Sequence, residues 1–216
     1  MDILILSENN FESAFKKTIS DLKKGKVVIC PTDTVYGLIA DASNEKAVKK
    51  IFLIKKRNKE KTLPIFVKDI KTLKKIAILD RKKEEILKNF WPGKITFVLK
   101  AKKEAFKIFP FGIIKEDGTI AVRIPNYKFL NTLLKKSNLF LTATSANISG
   151  KGSLIKPIEI LKEFEKENEK PDLFLNAGKL TKSLPSTVFD LEKNKILRKG
   201  AVKEKELIRF NFKLKI

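Results

Sequence analysis

The chain has 216 residues, 43% hydrophobic and 33% charged, enough for one sizeable core and too apolar for wholesale disorder. No apolar run approaches the about 20 residues of a bilayer crossing, and Met1 to Asn10 lacks the basic start and small-residue cleavage site of a secretory signal, so a soluble cytoplasmic protein is expected. Histidine is absent and Cys30 is the only cysteine, which excludes internal disulfides, Cys/His zinc sites and imidazole catalysis, while a formal charge of +22 draws polyanions such as RNA and nucleotides.

Residues 3–6 are an apolar run consistent with an edge or buried strand, and 10–24 place Phe11, Ala14, Phe15, Ile19 and Leu22 at helical spacing, with Gly25 to end the helix. The β-branched run 27–30 reads as a buried strand broken by Pro31 and followed by a hydroxyl-rich stretch to Gly37. A helix resumes near Asn44, with Ala47, Val48, Ile51 and Phe52 on one face, and ends in the cluster Lys55-Lys56-Arg57. A polar loop and a strand over 63–67 come next. Two lysine-rich helical stretches, 69–78 and 80–90, then run to Trp91-Pro92-Gly93. Residues 94–100 alternate as a strand does, 119–124 read as another, 127–136 as a helix, and 139–142 as a strand entering the loop 145–153. The remainder predicts a helix over 158–166, a strand over 173–175, and a hairpin of 186–191 with 196–198.

Strands and helices interleave, but some strands follow one another through short turns, so the expectation is one α/β domain of α+β type built on a mixed sheet. It spans residues 1–202, and 203–216, with alternating Phe210, Phe212 and Leu214, forms a C-terminal appendage.

Only five of the 47 basic residues are arginines: Arg57, Arg81, Arg123, Arg198 and Arg209. The lysine bias is also what an AT-rich genome produces. The surviving arginines should therefore concentrate where a rigid fork of donors must grip a carboxylate or phosphate.

Four segments carry candidate chemistry. Pro31 to Gly37 sets Thr32, Asp33, Thr34 and Tyr36 at the carboxyl end of a strand, where ligands of open α/β sheets bind, although a turn that satisfies backbone donors uses the same residues. Lys55, Arg57 and Lys61 form a cation group suited to phosphates, with a solvated face as the default for Lys56 and Lys59. Thr119 and Arg123 share a strand face; Arg123 needs an anion, and Asp117 could supply a structural one. Ser145 to Ser153 carries three serines, Asn147 and two glycines, suited to a loop whose N–H groups approach an anion or to a flexible surface loop; Walker A spacing is missing.

Together the motifs Pro-Thr-Asp-Thr-Val-Tyr-Gly-Leu, Lys-x-Arg-x3-Lys, Trp-Pro-Gly-x-Ile-Thr-Phe, Ala-Val-Arg-Ile-Pro, Thr-Ser-Ala-Asn-x-Ser-Gly and Ser-Thr-Val-x-Asp, in order from about Gly25 to Val202, closely resemble the YrdC-like family, the threonylcarbamoyl-AMP synthases. The resemblance implies a YrdC/RibB-like fold: a twisted mixed sheet with helices on both sides and a basic concave cavity. It also implies joining of L-threonine, bicarbonate and ATP, with Mg2+ carried by ATP, into threonylcarbamoyl-AMP and pyrophosphate, a nucleotidyltransferase reaction. The product would pass to a tRNA threonylcarbamoyl transferase complex for N6-threonylcarbamoyladenosine modification of tRNA.

Carried over by motif, Thr34, Arg123 and Ala143 resemble the threonine contacts, and Lys55 with Arg57 the catalytic phosphate grip. Arg57, Lys61, Thr119, Ser145, Ser153 and Arg198 resemble the ATP contacts, with Thr32, Tyr36 and Asn147 as structural support and no resident metal site. Two departures are Thr62, where the family often has proline, and Phe66, where relatives often carry histidine; the second makes the threonine pocket more apolar. The separate C-terminal domain of longer members is missing, which makes this the short form.

Two other readings stay open. A non-enzymatic binder of double-stranded RNA or tRNA follows from the charge alone. A carbamoyl-transfer domain of the hydrogenase-maturation type resembles the same family, but the paired-Cys zinc motifs and acylphosphatase region of those larger proteins are absent from this sequence.

Overall fold

The computed structural model describes residues 1–58 and 60–209. In chain order its elements are β1 (Asp2–Ile5), α1 (Phe11–Lys23), β2 (Val28–Cys30), β3 (Gly37–Ile39), α2 (Glu45–Lys55), β4 (Ile65–Phe66), α3 (Ile70–Leu73), α4 (Arg81–Phe90), β5 (Ile95–Lys100) and α5 (Ala105–Ile108). They continue with β6 (Thr119–Arg123), α6 (Lys128–Ser137), β7 (Leu141–Thr142), β8 (Thr144–Ser145), α7 (Pro157–Glu165), β9 (Leu173–Asn176), β10 (Thr187–Asp190), β11 (Lys195–Arg198) and α8 (Glu204–Ile208).

The helix starts follow capping chemistry. The side chains of Asn44, Asp69 and Asp80 accept from the N–H three residues on, at the heads of α2, α3 and α4, satisfying donors a helix cannot pair internally. Gly25, past the end of α1, has φ +75°, a conformation open to glycine without steric cost.

The strands form two mixed sheets, ordered β1-β9-β2-β3-β8 and β11-β10-β5-β6-β4-β7. The expected mixed sheet is therefore divided, and residues 140–145 hold its halves together. Leu141 and Thr142 pair antiparallel with β4, while Thr142 N donates to Ala40 O at 2.9 Å and Ala42 N to Phe140 O at 2.8 Å. Two residues on, β8 pairs with β3.

Alternation along the central strands sends side chains to two cores. Val28, Cys30, Leu173 and Leu175 pack with Phe15 of α1 and Phe129, Leu130 and Leu133 of α6. Ile29 and Phe174 face the opposite way, into a larger core shared with α2, α4 and α7. Both faces of this sheet are thus covered by helices, as the near-continuous apolar runs require. At the centre of the larger core Phe97 meets Trp91 and Phe189 edge to face, at ring separations of 5.3 and 6.1 Å.

Several details depart from the sequence expectation. The helix expected over 69–78 is a single turn, α3, because Ile78 N donates instead to Lys100 O and Ala77 bridges to Ala101 at the end of β5. β3, β8 and α5 were not anticipated: they are too short, at two to four residues, to show a period. Asn194, at φ 53°, turns the chain between β10 and β11, which form the expected hairpin. Beyond Val202, Leu207 of α8 is fully buried in the larger core. Lys59, Phe210, Phe212 and Leu214 lie outside the described residues.

Truncating Phe97 to Ala should lower unfolding stability by about 3–5 kcal/mol, because the fully buried ring leaves a cavity among three aromatic neighbours. Urea denaturation checks this; a loss under about 1 kcal/mol would mean the neighbours collapse into the gap.

Candidate functional site

Where β2, β4, β6 and β8 end, the chain leaves an open cavity of about 110 Å3 lined by segments distant in sequence. Thr32 and Thr34 reach it from the turn after β2, Arg57 from beyond α2, and Phe66 and Arg123 from the ends of β4 and β6. Ala143 and Ser145 approach from the stretch that joins the sheets, and Ser186 and Arg198 from the β10–β11 hairpin. Three of the five arginines therefore meet in one cavity, as their scarcity predicted; Arg81 is 94% exposed and Arg209 is exposed.

Arg123 ends the apolar strand β6 almost fully buried, with 4% of its side chain exposed. Its Nε donates to Gly93 O at 2.8 Å, Nη1 to Thr34 Oγ1 at 3.3 Å, and Nη2 to Asp33 Oδ1. The Phe66 ring lies beneath it, 5.7 Å from the guanidinium carbon, an attraction between a cation and the electron-rich ring face. Burial lowers the Arg123 pKa and the Asp33 carboxylate opposes that shift. Asp33 is thus the structural anion of Arg123; Asp117 instead accepts from Thr119. The Trp-Pro-Gly motif gains a physical reason here. Gly93 brings its carbonyl to Arg123, and a Cβ on it would lie 2.4 Å from Phe90 O.

The turn itself is held by hydroxyls. Thr32 Oγ1 donates to Val35 O at 2.7 Å, accepts from Thr34 N at 3.1 Å, and lies 3.0 Å from Thr34 Oγ1. Thr32 thus braces the turn, and both Thr32 and Thr34 line the cavity. Tyr36 also supports, outside the cavity: its Oη donates to Gly178 O at 2.7 Å and accepts from Ala177 N at 3.0 Å, and burial pushes its pKa up to about 12.

Lys55 departs from the phosphate grip implied for it. It is 2% exposed, and its Nζ donates to Ser145 O at 2.6 Å, Asn147 O at 2.7 Å and Asn147 Oδ1 at 3.3 Å. Burial first, then Arg57, pulls its pKa down to about 7, while three acceptors around three N–H bonds hold the proton. Lys55 is a brace for the loop after β8. Asn147 completes the brace, accepting from Ser145 Oγ at 2.5 Å and donating to Lys151 O at 2.6 Å. The amides of Ala146, Ile148 and Ser149 are already committed to Tyr36 O, Glu163 Oε1 and Lys55 O. The loop is therefore a tied wall of the cavity and not a nest of free N–H groups.

Arg57 donates to Lys61 O at 2.8 Å and Thr62 O at 2.9 Å, closing the loop after α2 while it lines the cavity. Arg198 Nη2 donates to Ser186 O at 2.7 Å and Ser186 Oγ at 3.1 Å. Gly200 permits that seat, since a Cβ there would stand 2.4 Å from Pro185 O and 2.6 Å from Thr187 N. Burial lowers the pKa of Arg57 and Arg198, and Arg123 and Arg57 depress Arg198 further. Arg198, depressed by both other guanidinium groups, marks a cluster of positive charge that an anion would complete.

Three implied ATP contacts lie elsewhere. Thr119 is buried at the opposite end of β6, about 13 Å from Arg123 along a strand rising about 3.3 Å per residue, pairs with Lys100, and donates to Asp117 Oδ1 at 2.5 Å. The Lys61 side chain is exposed, and only its backbone carbonyl takes part, by holding Arg57. Ser153 is half-buried in the loop and does not line the cavity. Sequence reasoning offered Asp117, not Asp33, as the anion for Arg123 and gave Ser186 no role, although Asp33 and Ser186 both stand inside recognised motifs; an arginine that needs a partner was the available signal.

A family model, Sua5/yciO/yrdC, described as "Telomere recombination", matches residues 20–200. The chain is 40% identical over 204 residues to a Methanocaldococcus jannaschii protein named "Putative threonylcarbamoyl-AMP synthase", covering 92% of this chain and 93% of that protein. It is 34% identical to a Pyrococcus abyssi protein named "Threonylcarbamoyl-AMP synthase" over 79% of this chain, which spans 48% of that longer protein. Among solved structures, P. abyssi Sua5 complexed with L-threonine matches at a TM-score of 0.83 and 29% identity, over 99% of this chain and 61% of that one.

The bracing role of Lys55 makes a specific demand. Lys55→Met should leave Asn147 O without its donor, while Ser145 O keeps Asn147 N and Asn147 Oδ1 keeps Ser145 Oγ; it should lower stability by about 1–3 kcal/mol, the cost of an unsatisfied buried polar group, and speed amide exchange at Ile148 and Ser149. Exchange at those amides unchanged in the variant would return Lys55 to the phosphate-gripping role.

Proposed function

This chain belongs to the Sua5/yciO/yrdC family, and from that premise we propose that it is a threonylcarbamoyl-AMP synthase, a nucleotidyltransferase joining L-threonine, bicarbonate and ATP with release of pyrophosphate. One observation carries the reading: Arg123, Thr34, Arg57 and Arg198, from four separate segments, converge on one cavity. A general RNA binder would require only surface charge and gives no reason for three of the five arginines, one of them buried, to line the same cavity.

In this reading the threonine α-carboxylate lies against Arg123 and Thr34, with Phe66 forming the apolar wall. The triphosphate lies toward Arg57 and Arg198, and Ser145 with the Ala143 backbone lies between the two groups. The threonine amine attacks the carbonyl carbon of bicarbonate and water leaves, giving a carbamate. A carbamate oxygen then attacks the α-phosphorus, and pyrophosphate departs. Neither step needs a covalent enzyme nucleophile, which suits a chain without histidine; positioning and charge neutralisation supply the acceleration.

In this reading Mg2+ would enter as part of the ATP substrate. There it neutralises phosphate charge as the bond to pyrophosphate breaks. Among the described residues no helix is long and apolar enough to cross a membrane. We place the reaction in the cytoplasm, with the adenylate passed to a tRNA threonylcarbamoyl transferase complex; the +22 charge supports RNA contact by the lysine-rich surface.

Purified protein should release pyrophosphate from ATP only when threonine and bicarbonate are both present; equal release without threonine would sink the assignment. Arg123→Lys keeps the charge but loses the fork that Gly93, Thr34 and Asp33 hold, and should weaken threonine binding by about 1–3 kcal/mol. Calorimetry on the folded variant reads this directly.

A further inference from the structure

The turn after β2 holds a group that the proposed reaction leaves unused. Asp33 is 7% exposed at its side chain, and Oδ1 accepts from Arg123 Nη2. Its other oxygen, Oδ2, is buried without a hydrogen-bond partner, one of three such side-chain atoms among the described residues. An orphaned carboxylate oxygen is costly, because each lone pair removed from water without a donor forfeits a strong charge-assisted bond. The vacancy is for a donor, and a positively charged donor satisfies it best.

No neighbouring basic side chain meets it except Arg123, whose bond goes to the other oxygen. Thr34 and Arg123, on either side of Asp33, both line the cavity. Asp33 does not itself line the cavity; rotation about its Cβ–Cγ bond is broad, and a turn of the carboxylate toward the cavity releases Oδ1 from Arg123, which a ligand carboxylate on that guanidinium would replace. An amino acid carries its α-ammonium and α-carboxylate on one carbon, and the Arg123–Asp33 pair presents a cation and an anion side by side in the opposite sense.

We infer that Asp33 is a substrate-binding and specificity residue that accepts the α-ammonium of the amino acid whose carboxylate Arg123 holds. The inference rests on the proposed function for the identity of the amino acid, and it assigns the recognition of the amine, which that reading left without a partner. The paired charges select a zwitterion over a simple carboxylic acid. Asp33 also stands beside the nitrogen that must shed a proton before it attacks bicarbonate.

The test compares L-threonine with 2,3-dihydroxybutanoate, which keeps the carboxylate and side-chain hydroxyl and replaces the amine, on the wild-type chain and on Asp33→Asn, by calorimetry. The wild type should prefer threonine by about 10- to 100-fold, the range of one charge-assisted hydrogen bond. Asp33→Asn should lose most of that preference through weaker threonine binding, with the analogue bound as well as before. A variant that weakens both ligands equally would show that Asp33 only positions Arg123, which overturns the inference and leaves the proposed function standing. If the variant does not fold, the wild-type preference still decides, since equal affinity for the two ligands overturns the inference without any variant. A wild type that binds neither ligand overturns the assignment of the cavity itself.

Discussion

A guanidinium at the end of an apolar strand, with almost no water to solvate it, is the constraint around which this cavity is arranged. Arg123 cannot be left bare there, since a buried charge without partners costs far more than the margin by which a domain is stable. The fold answers with a carbonyl from Gly93, a hydroxyl from Thr34, a carboxylate from Asp33 and an aromatic face from Phe66. Those four groups come from three regions of chain, so satisfying one arginine fixes the turn after β2, the loop before β5 and the end of β4 relative to one another. The walls of the cavity are set by the solvation needs of one of its cations.

The electrostatics of the cavity are graded. Arg123 already has a carboxylate, whereas Arg57 and Arg198 are held by carbonyls and a hydroxyl, which orient them without neutralising them. The uncompensated positive charge is therefore that of Arg57 and Arg198, for which a polyphosphate is the natural ligand, while Arg123 with its carboxylate makes a balanced pair suited to a zwitterion. One cavity offers two chemically different kinds of cation, which suits a reaction that joins an amino acid to a nucleotide.

Much of this was legible in the sequence because it is written in period and motif. The amphipathic spacing of α1, α2 and α6, the apolar runs of β2 and β9, and the hairpin of β10 and β11 all follow from local rules. The scarcity of arginine pointed to the three that line the cavity. What stayed hidden was set by tertiary competition. Residues 76–78 carry apolar spacing compatible with a helix, yet their backbone groups go to the end of β5. Lys55 sits in a cation cluster that reads as a phosphate grip, and only the folded chain shows its ammonium surrounded by oxygens of the 145–147 segment. Thr119 and Arg123 share a strand face, but sharing a face does not bring opposite ends of β6 to the same ligand.

The stretch from Phe140 to Ser145 serves two sheets at once, pairing with β4 and with the chain at Ala40 and Ala42, and then with β3. Its length is therefore locked. Side chains along extended chain alternate with a period of two, so one residue gained or lost here would turn Thr144 and Ser145 over relative to Leu141 and Thr142 and carry the cavity wall to the wrong face. Exposed loops elsewhere, such as 166–170, can change in length at modest entropic cost. Among descendants of this chain, insertions should accumulate in those outer loops, while the spacing between Leu141 and Asn147 stays invariant even where the residues that fill it change.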